Sequence, residues 1–234
     1  MAHLFSEFIN LFLPSRCPVC QGRSDRHTIN PICSTCWETI GPYRGSACRR
    51  CGLPTISEAT LSCASCVRDE PPYSVVLCYG VYEGVLREAI HAFKFRGVKR
   101  LACPLGRLMA SIPVPEADAV LPVPLHPARL REREFNQSAL LGRRISLQTG
   151  IPLMLDALVK VRETAPQTDV PGRERAKNVR KAFRASEKVA GKRIVLVDDV
   201  ITTGATTKEC AETLRKAGAS EVIVVALARS MPKI

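Results

Sequence analysis

The chain has 234 residues and is 46% hydrophobic, which excludes a largely disordered protein and suits one full-sized domain plus a smaller one. Its formal net charge of +12 favours an anionic partner, such as nucleotide phosphates, nucleic acid or an acidic protein. Aromatic residues make up 5% of the chain, which argues against an aromatic surface as the main ligand platform.

The first segment, residues 1–16, is short and apolar, and Phe5, Phe8, Ile9 and Phe12 share one face of a predicted helix. A helix packed on the body of the protein is favoured over a membrane-surface anchor because the segment carries little positive charge. The segment lacks the basic start and cleavage site of a signal peptide and is too short to span a bilayer. We therefore expect a cytoplasmic protein with no membrane span.

Four C-x-x-C pairs lie within residues 17–70. Two such pairs, about a dozen residues apart, supply the four thiolates of one tetrahedral Zn²⁺, so the segment predicts two structural zinc sites rather than disulfides or a redox centre. Sequential pairing is favoured: the first site would contain Cys17, Cys20, Cys33 and Cys36, and the second Cys48, Cys51, Cys63 and Cys66. A cross-braced pairing is the alternative, because spacing does not fix connectivity.

Two prolines, Pro71 and Pro72, mark the start of an α/β domain predicted for residues 73–234. A strand at residues 73–82 and helices at residues 85–95 and 100–112 are predicted to form a cap, residues 73–115, over one edge of the sheet. Residues 119–124 are predicted to be the first strand of the sheet proper and to open the core, residues 119–234. Lys94 and Arg96 lie at the end of the first of these helices, and the sequence leaves open whether they reach a ligand or are solvated.

Two polar segments of the domain carry candidate anion ligands. Residues 125–138 are predicted to form a loop with several donors, before a helix to about residue 148; its donors are His126, Arg129, Arg131, Arg133, Asn136 and Gln137. Solvation explains any single arginine there equally well. Residues 162–183 predict a long polar loop that enters a helix or hairpin, and loops of this length are usually either functional lids or disordered. If this loop closes over a pyrophosphate, its candidate ligands are Arg162, Thr164, Gln167, Arg173, Arg175 and Asn178.

Residues 193–207, RIVLVDDVITTGATT, predict a buried strand, an acidic pair, a hydroxyl-rich loop and the start of a helix that ends near residue 216. A helix N-terminus after a glycine-bearing loop favours a phosphate. The carboxylates accept hydrogen bonds from vicinal hydroxyls or hold a divalent metal, so the pattern indicates a ribose 5-phosphate. The candidate ligand residues are Asp198, Asp199, Thr202, Thr203, Gly204, Ala205, Thr206 and Thr207. A last buried strand is predicted at residues 221–228.

This stretch resembles the 5-phosphoribosyl-1-pyrophosphate (PRPP) signature of type I phosphoribosyltransferases, and nearly the whole chain resembles the ComF/GntX family. Besides the C-x-x-C pairs, the resemblance rests on the motifs at residues 93–97, 122–137, 162–183 and 197–206. It implies a type I phosphoribosyltransferase-like (Rossmann-like) parallel sheet with helices, joined to an N-terminal double zinc ribbon. Glu134 departs from the family pattern, where RERGFNQ has glycine.

The resemblance further implies a role in competence, in uptake of single-stranded DNA or use of DNA as a nutrient, with DNA-uptake proteins as partners. One hypothesis is an enzyme that binds PRPP with Mg²⁺ and transfers its phosphoribosyl group. Arg129, Arg131 and Arg162 would then stabilise the pyrophosphate leaving group. The sequence shows no general base, so the acceptor is not identified. The alternative is a non-catalytic protein that binds single-stranded DNA or partner proteins on the same scaffold.

Overall fold

The computed structural model describes residues 15–57, 61–165, 171 and 174–231. The helix predicted within residues 1–16 lies outside the described residues, except for its last two positions. The strands of the described residues are β1 (Val75–Val81), β2 (Ala119–Pro122), β3 (Leu158–Lys160), β4 (Phe183–Ala185), β5 (Arg193–Ile201) and β6 (Glu221–Arg229). The α-helices are α1 (Ser34–Trp37), α2 (Ala64–Arg68), α3 (Gly84–Phe95), α4 (Ala102–Ala110), α5 (Pro127–Arg133), α6 (Gln137–Thr149), α7 (Arg175–Val179) and α8 (Ala205–Lys216).

A parallel sheet with the strand order β1-β6-β5-β2 forms the centre of the described structure. The side chains of residues 194–197 in β5 are fully buried, as are most of those in β6. Continuous apolar runs of this kind are typical of parallel strands that are covered on both faces. The predicted parallel α/β architecture is therefore confirmed.

The predicted cap over the sheet edge is wrong, because β1 is itself a strand of the central sheet. It pairs in parallel with β6, and Val75 stands opposite Ile223. The first strand of the sheet in chain order is thus β1 and not residues 119–124. Helix α4 lies beside α6 on one face of the sheet, so residues 73–115 form part of the same layers as the remainder of the domain.

Alternating residues of the strands divide the core into two clusters. Val195 and Val197 of β5 pack with α3, α4 and α6 on one face. Ile194 and Leu196 face the other way and pack with α8 and the antiparallel pair of strands β3 and β4. This is the two-sided covering that a parallel sheet requires.

The two cysteine groups are packed on opposite faces of the sheet. Cys17, Cys33 and Cys36 belong to the cluster with α3, α4 and α6, whereas Cys48 and Cys51 belong to the cluster with α8. The cysteine-bearing segment is therefore part of both core clusters. In the part of the chain that the structure describes, no helix has the length and hydropathy needed to cross a bilayer.

Residues 125–138 do not form the predicted loop throughout, because Pro127–Arg133 is helix α5. His126 is its N-cap, and its Nδ1 accepts a hydrogen bond from the backbone N–H of Ala128 at 3.4 Å. Proline is well suited to the first helical position, where its missing N–H costs nothing. The helix ends at Glu134, which has a left-handed backbone with φ of 62°. The turn thus keeps the glycine-like geometry although glycine is absent.

Candidate ligand pocket and metal sites

An open pocket of about 220 Å³ lies at the carboxyl ends of β2 and β5. Residues 123–125 after β2, and residues 198–207 at the end of β5 and the start of α8, line it. Side chains from α3, α5 and the β3–β4 region complete its wall. The edge formed by the carboxyl ends of the strands is where open α/β sheets bind their ligands.

Residues 202–207, which connect β5 to α8 and include the first residues of that helix, are here called the phosphate loop. Gly204 has φ of +81°, a left-handed conformation that costs glycine little. Its carbonyl oxygen accepts hydrogen bonds from the Lys208 N–H at 2.8 Å and from the Thr207 hydroxyl at 3.0 Å. The loop therefore turns directly into the N-terminus of α8, whose dipole favours an anion.

The two carboxylates of the acidic pair have different partners. Asp198 Oδ1 accepts hydrogen bonds from the Ser138 hydroxyl at 3.2 Å and from the Asp199 N–H at 2.9 Å. Asp199 is 3% exposed, and Lys94 Nζ lies 2.9 Å from its Oδ1 and 2.8 Å from its Oδ2. The open question about Lys94 is thereby answered: it reaches the pocket from the last turn of α3.

Burial and neighbouring charges shift the pKa values of this cluster. Burial, together with the negative charge of Asp199, raises the pKa of Asp198 to about 7, although Lys94 acts in the opposite direction. Burial opposes the charge of Lys94, but Asp199 and Asp198 outweigh it and raise the pKa of Lys94. Asp198 is therefore close to its titration point at neutral pH, whereas Lys94 stays protonated.

Basic side chains outnumber the acidic pair in the pocket wall. Among the described residues, the cations that line it are Lys94, Arg129, Arg133, Lys160 and Arg175. Arg133 and Lys160 are partly withdrawn from water, and this burial lowers the pKa of each. A pocket with this excess of positive charge is suited to a ligand with several negative charges.

The structure brings some of the predicted site residues together and leaves others apart. Asp198, Asp199 and residues 202–207 all line the pocket, as does Arg129. Neither Arg131 nor Arg162 is among the described lining residues: Arg131 is exposed, and Arg162 donates to the carbonyl oxygens of Asn178 and Arg180. Thr164 and Arg175 of the predicted closing loop line the pocket, whereas Gln167 and Arg173 lie outside the described residues.

Helical spacing explains why the arginines of α5 differ. Arg129 and Arg133 are four residues apart, so they lie on one face of the helix, and Arg131 points away from it. A loop assignment hides this pattern, which is why the sequence led to Arg131 and not to Arg133 as a candidate for stabilising the leaving group. Ser138, Tyr82 and Phe95 carry no local sequence signal for their positions beside the pocket, although FKFRG at residues 93–97 marked the segment of Phe95.

The eight cysteines fall into the two sequential groups within the described residues, not into a cross-braced arrangement. The four sulfurs of each group lie within 4.8 Å of one another. The Cys20 and Cys33 sulfurs are 3.6 Å apart, and those of Cys51 and Cys63 are 3.7 Å apart. Thiolates of a tetrahedral zinc site, with Zn–S bonds of about 2.3 Å, stand roughly 3.8 Å apart. Both groups therefore fit Zn²⁺.

Backbone donors prepare one thiol of each group for a metal. Burial opposes ionisation of Cys17, but surrounding backbone N–H groups outweigh it and lower the pKa of this thiol to about 6. Cys48 occupies the same position in the second group, and the same balance lowers its pKa to about 6. Since the thiolate is the form that binds zinc, each group offers an ionised ligand at neutral pH.

Comparison with known proteins gives two family matches. A double zinc ribbon domain matches residues 8–67, and a phosphoribosyl transferase domain matches residues 136–233. The DNA utilization protein YhgH of Salmonella typhi is 34% identical over 208 residues, which cover 86% of this chain and 91% of that protein. Competence protein F of Haemophilus influenzae is 32% identical over 235 residues, which cover 94% and 99% of the two chains. The chain belongs to the ComF/GntX family.

Membership of the ComF/GntX family gives the two parts of the structure their names. The parallel sheet with its helices is a type I phosphoribosyltransferase-like fold, and the paired tetra-cysteine groups with the ribbon match support structural zinc. A solved glutamine PRPP amidotransferase from B. subtilis is 32% identical, covers 53% of this chain and 25% of its own, and has a TM-score of 0.37. That overlap is too small to support an argument about the site.

Proposed function

We propose that this ComF/GntX protein binds PRPP or another ribose 5-phosphate and acts in competence-associated uptake or use of DNA. One observation carries the ligand proposal: an acidic pair and a phosphate loop face the same basic pocket. The DNA role is taken from relatives named DNA utilization protein and competence protein F. A ligand with a diol and phosphates at both ends would use each of these features.

Each part of the ligand has a matching group in the pocket. The phosphate loop and the N-terminus of α8 suit the 5-phosphate. Asp198 and Asp199 suit the ribose hydroxyls, which donate hydrogen bonds to carboxylates. Arg129 and Arg133, on one face of α5, suit the pyrophosphate, because guanidinium groups bind phosphate oxygens in a bidentate manner.

The acidic pair also suits the Mg²⁺ that accompanies PRPP. Carboxylate oxygens are the ligands that Mg²⁺ prefers, and the Ser138 hydroxyl holds Asp198 at the pocket wall. When bound, the ion would neutralise part of the pyrophosphate charge. Lys94 occupies both oxygens of Asp199, so ribose binding at Asp199 requires the ammonium group to share or leave that carboxylate.

The same residues suit phosphoribosyl transfer to an acceptor that the structure does not identify. In that reaction the bond between the anomeric carbon and pyrophosphate breaks, and its electron pair leaves with pyrophosphate. An electron pair of the acceptor then forms the new bond to the anomeric carbon. Arg129 and Arg133 would stabilise the growing negative charge on the leaving group, while the acidic pair faces the positive ribosyl ring.

Calorimetric titration of the zinc-replete protein with PRPP and Mg²⁺ tests the proposal. We expect saturable binding that is lost in the double variant Asp198→Asn/Asp199→Asn. Arg129→Ala should weaken binding by about tenfold or more, since hydrogen bonds to charged groups are worth about 1.5–3 kcal/mol. Arg131→Ala is the matched control on the same helix and should bind like the wild type. Absence of binding by the folded wild type would reject the ligand assignment.

A second candidate function is single-stranded DNA binding, favoured by one feature of the pocket mouth. Phe95 is 44% exposed, and the Arg133 guanidinium lies 5.3 Å from its ring centroid. An exposed ring beside cations is a combination that single-stranded nucleic acids use for stacking and backbone contact. This reading predicts binding that weakens steeply with salt and that Phe95→Ala reduces at constant net charge. Binding equal to the wild type in that variant would remove the pocket mouth from the DNA surface.

A further inference from the structure

A buried arginine joins the second cysteine group to the phosphate loop. Arg229, at the end of β6, is 6% exposed. Its Nε donates to the Cys51 carbonyl oxygen at 3.1 Å. Its Nη1 donates to the Ile201 carbonyl oxygen at 2.9 Å and to the Thr202 carbonyl oxygen. One planar guanidinium therefore ties the backbone of a zinc-ligating cysteine to the carbonyls from which the phosphate loop begins.

Two further contacts join the same parts of the molecule. Tyr73 packs in one cluster with Cys48 and Cys51, and its hydroxyl lies 3.9 Å from the position that a Cβ would occupy on Gly204. Lys208, in the first turn of α8, forms an ion pair with Asp69, which directly follows α2 of the second ribbon. The second cysteine group is thus joined to the start of the phosphate loop through Arg229 and to the surroundings of its glycine through Tyr73, while Asp69 pairs with the helix that follows the loop.

Because Arg229 is charged, its hydrogen bonds to the cysteine group and to the phosphate loop depend on the bound metal. The acceptors named above are neutral carbonyls, and a buried guanidinium is costly without a compensating negative charge. A zinc ion with four thiolates carries a net charge of −2, which would supply that compensation next to Cys51. Burial and the second-group thiols raise the pKa of Tyr73 while Arg229 opposes them, so these groups share one electrostatic neighbourhood.

The first cysteine group offers an internal control because it is packed elsewhere. Its cysteines lie in the cluster with α3, α4 and α6, on the other face of the sheet. Its ribbon is held by Arg100, which donates to the Asn30 carbonyl oxygen at 3.1 Å and to the Asn30 side chain at 3.1 Å. These contacts lead to the 3₁₀ turn Lys99–Leu101 before α4, not to the phosphate loop.

We propose that Arg229 is a positioning residue through which the zinc-filled second group holds the phosphate loop in the shape that binds an anion. Zinc bound to the second cysteine group, and not zinc bound to the first, then keeps the phosphate loop well ordered. The consequence for ligand affinity rests on the proposed function, whereas the consequence for loop order does not.

The first experiment compares Cys66→Ser with Cys20→Ser in the full-length, zinc-loaded protein. Each variant removes one ligand at the rim of one group, and zinc content is measured by mass spectrometry. We expect each to lose one zinc ion. Amide hydrogen exchange of residues 201–208 without ligand should then accelerate about tenfold in Cys66→Ser, and it should stay at the wild-type rate in Cys20→Ser. Equal exchange of this segment in the two variants would overturn the proposal.

The second experiment replaces Arg229 itself and keeps both metal groups intact. In Arg229→Lys we expect two zinc ions, faster exchange at residues 201–208 and about tenfold weaker affinity for ribose 5-phosphate. Arg193→Lys is the matched control, since Arg193 lies at the opposite end of β5 and pairs with Glu221 at 2.9 Å. Unchanged exchange in Arg229→Lys would overturn the proposal, and this variant decides the matter if Cys66→Ser does not fold.

The two experiments separate this inference from the proposed function. If the wild type does not bind ribose 5-phosphate but the exchange pattern is as expected, the ligand assignment fails and the role of Arg229 in loop order stands. If the wild type binds ribose 5-phosphate and Arg229→Lys binds it equally well, the positioning role fails and the ligand assignment stands.

Discussion

Adjacent carboxylates at the end of β5 do different work because their surroundings differ. Asp199 is held by Lys94 on both oxygens, while Asp198 has a hydroxyl and a backbone N–H as its partners. Burial of two neighbouring acids favours protonation of one of them, and Asp198 is the one whose pKa rises to about 7. The charge of the pocket therefore changes within the physiological pH range.

The first prediction concerns the pH dependence of ligand binding. Ribose hydroxyls bind the ionised carboxylate best, so affinity for PRPP with Mg²⁺ should rise between pH 6 and pH 8 as Asp198 loses its proton. Asp198→Asn should approach the wild-type affinity at pH 6, fall further below it as the pH rises, and retain only the dependence that comes from titration of the ligand phosphates. Calorimetry across this range measures both, and parallel profiles for wild type and variant would contradict the assignment of Asp198.

The second prediction concerns Lys94. Removing its positive charge leaves the acidic pair without its cation, so the pKa of Asp198 should rise further. Lys94→Gln should therefore move the midpoint of the binding profile to higher pH by about one unit, whereas Lys94→Arg should leave it near the wild-type value. Arg131→Ala, at an exposed position, controls for the loss of one positive charge. A midpoint that does not move in Lys94→Gln would show that the ion pair does not control the acidic pair.

The sequence could reveal those site residues that are close together along the chain. The acidic pair and the phosphate loop belong to one short segment, so their chemistry can be recognised from that segment alone. Lys94 lies 105 residues before its partner Asp199, and Arg229 lies 178 residues after Cys51. Contacts of this range depend on where helices and strands are placed in space, which periodicity within a segment does not encode.

Among the elements, α5 shows how one missed helix changes a functional assignment. As a loop, residues 125–138 present all their arginines as equal candidates. As a helix, the segment points Arg129 and Arg133 at the pocket and Arg131 at solvent. Strand β1 was also misassigned from the sequence, because its partner strand β6 lies far away along the chain. The two strands pair in parallel, with Val75 opposite Ile223, and such a pair has no connecting turn that the sequence could reveal.

The third prediction concerns the end of α5. Glu134 adopts a left-handed conformation, which is unfavourable for a residue with a Cβ, and its carboxylate pairs with Lys99 at 2.8 Å on the surface. Glu134→Gly and Glu134→Ala both lose this exposed pair and differ mainly in backbone freedom. The glycine variant should have a free energy of unfolding about 1 kcal/mol higher than the alanine variant. Denaturant melts measure this, and an equal or lower value for glycine would show that the turn is not strained.

Across the whole molecule, the cysteine-bearing segment is shared between both core clusters rather than attached to the domain at one edge. The C-x-x-C spacing predicted two metal groups and favoured sequential membership without fixing it, and the grouping of the sulfurs in the structure is sequential. The spacing did not predict their placement on opposite faces, because that depends on how residues between Cys36 and Cys48 pass along the edge strand, where the Tyr43 N–H donates to the Tyr79 carbonyl oxygen at 2.8 Å.

The fourth prediction follows from this shared core. Removal of both zinc ions with a strong chelator should lower the melting temperature of the entire protein by about 10 °C or more, because each metal group anchors part of a core cluster. Circular dichroism of the strand and helix signal, with zinc release followed in parallel, measures the effect. A separately attached ribbon would release its zinc and leave the main transition unchanged, so that result would contradict the shared core.

The hydrogen bond from Arg229 to Cys51 also has a consequence for protein synthesis. Its two partners are 178 residues apart, and a ribosome adding about 5–20 residues per second makes them roughly 10–35 s apart. During that interval β6 has not yet been synthesised, so the second cysteine group lacks the strand with which it will pack. Capture of the metal by the emerging thiolates, rather than burial, must then hold the ribbon in shape until translation reaches β6.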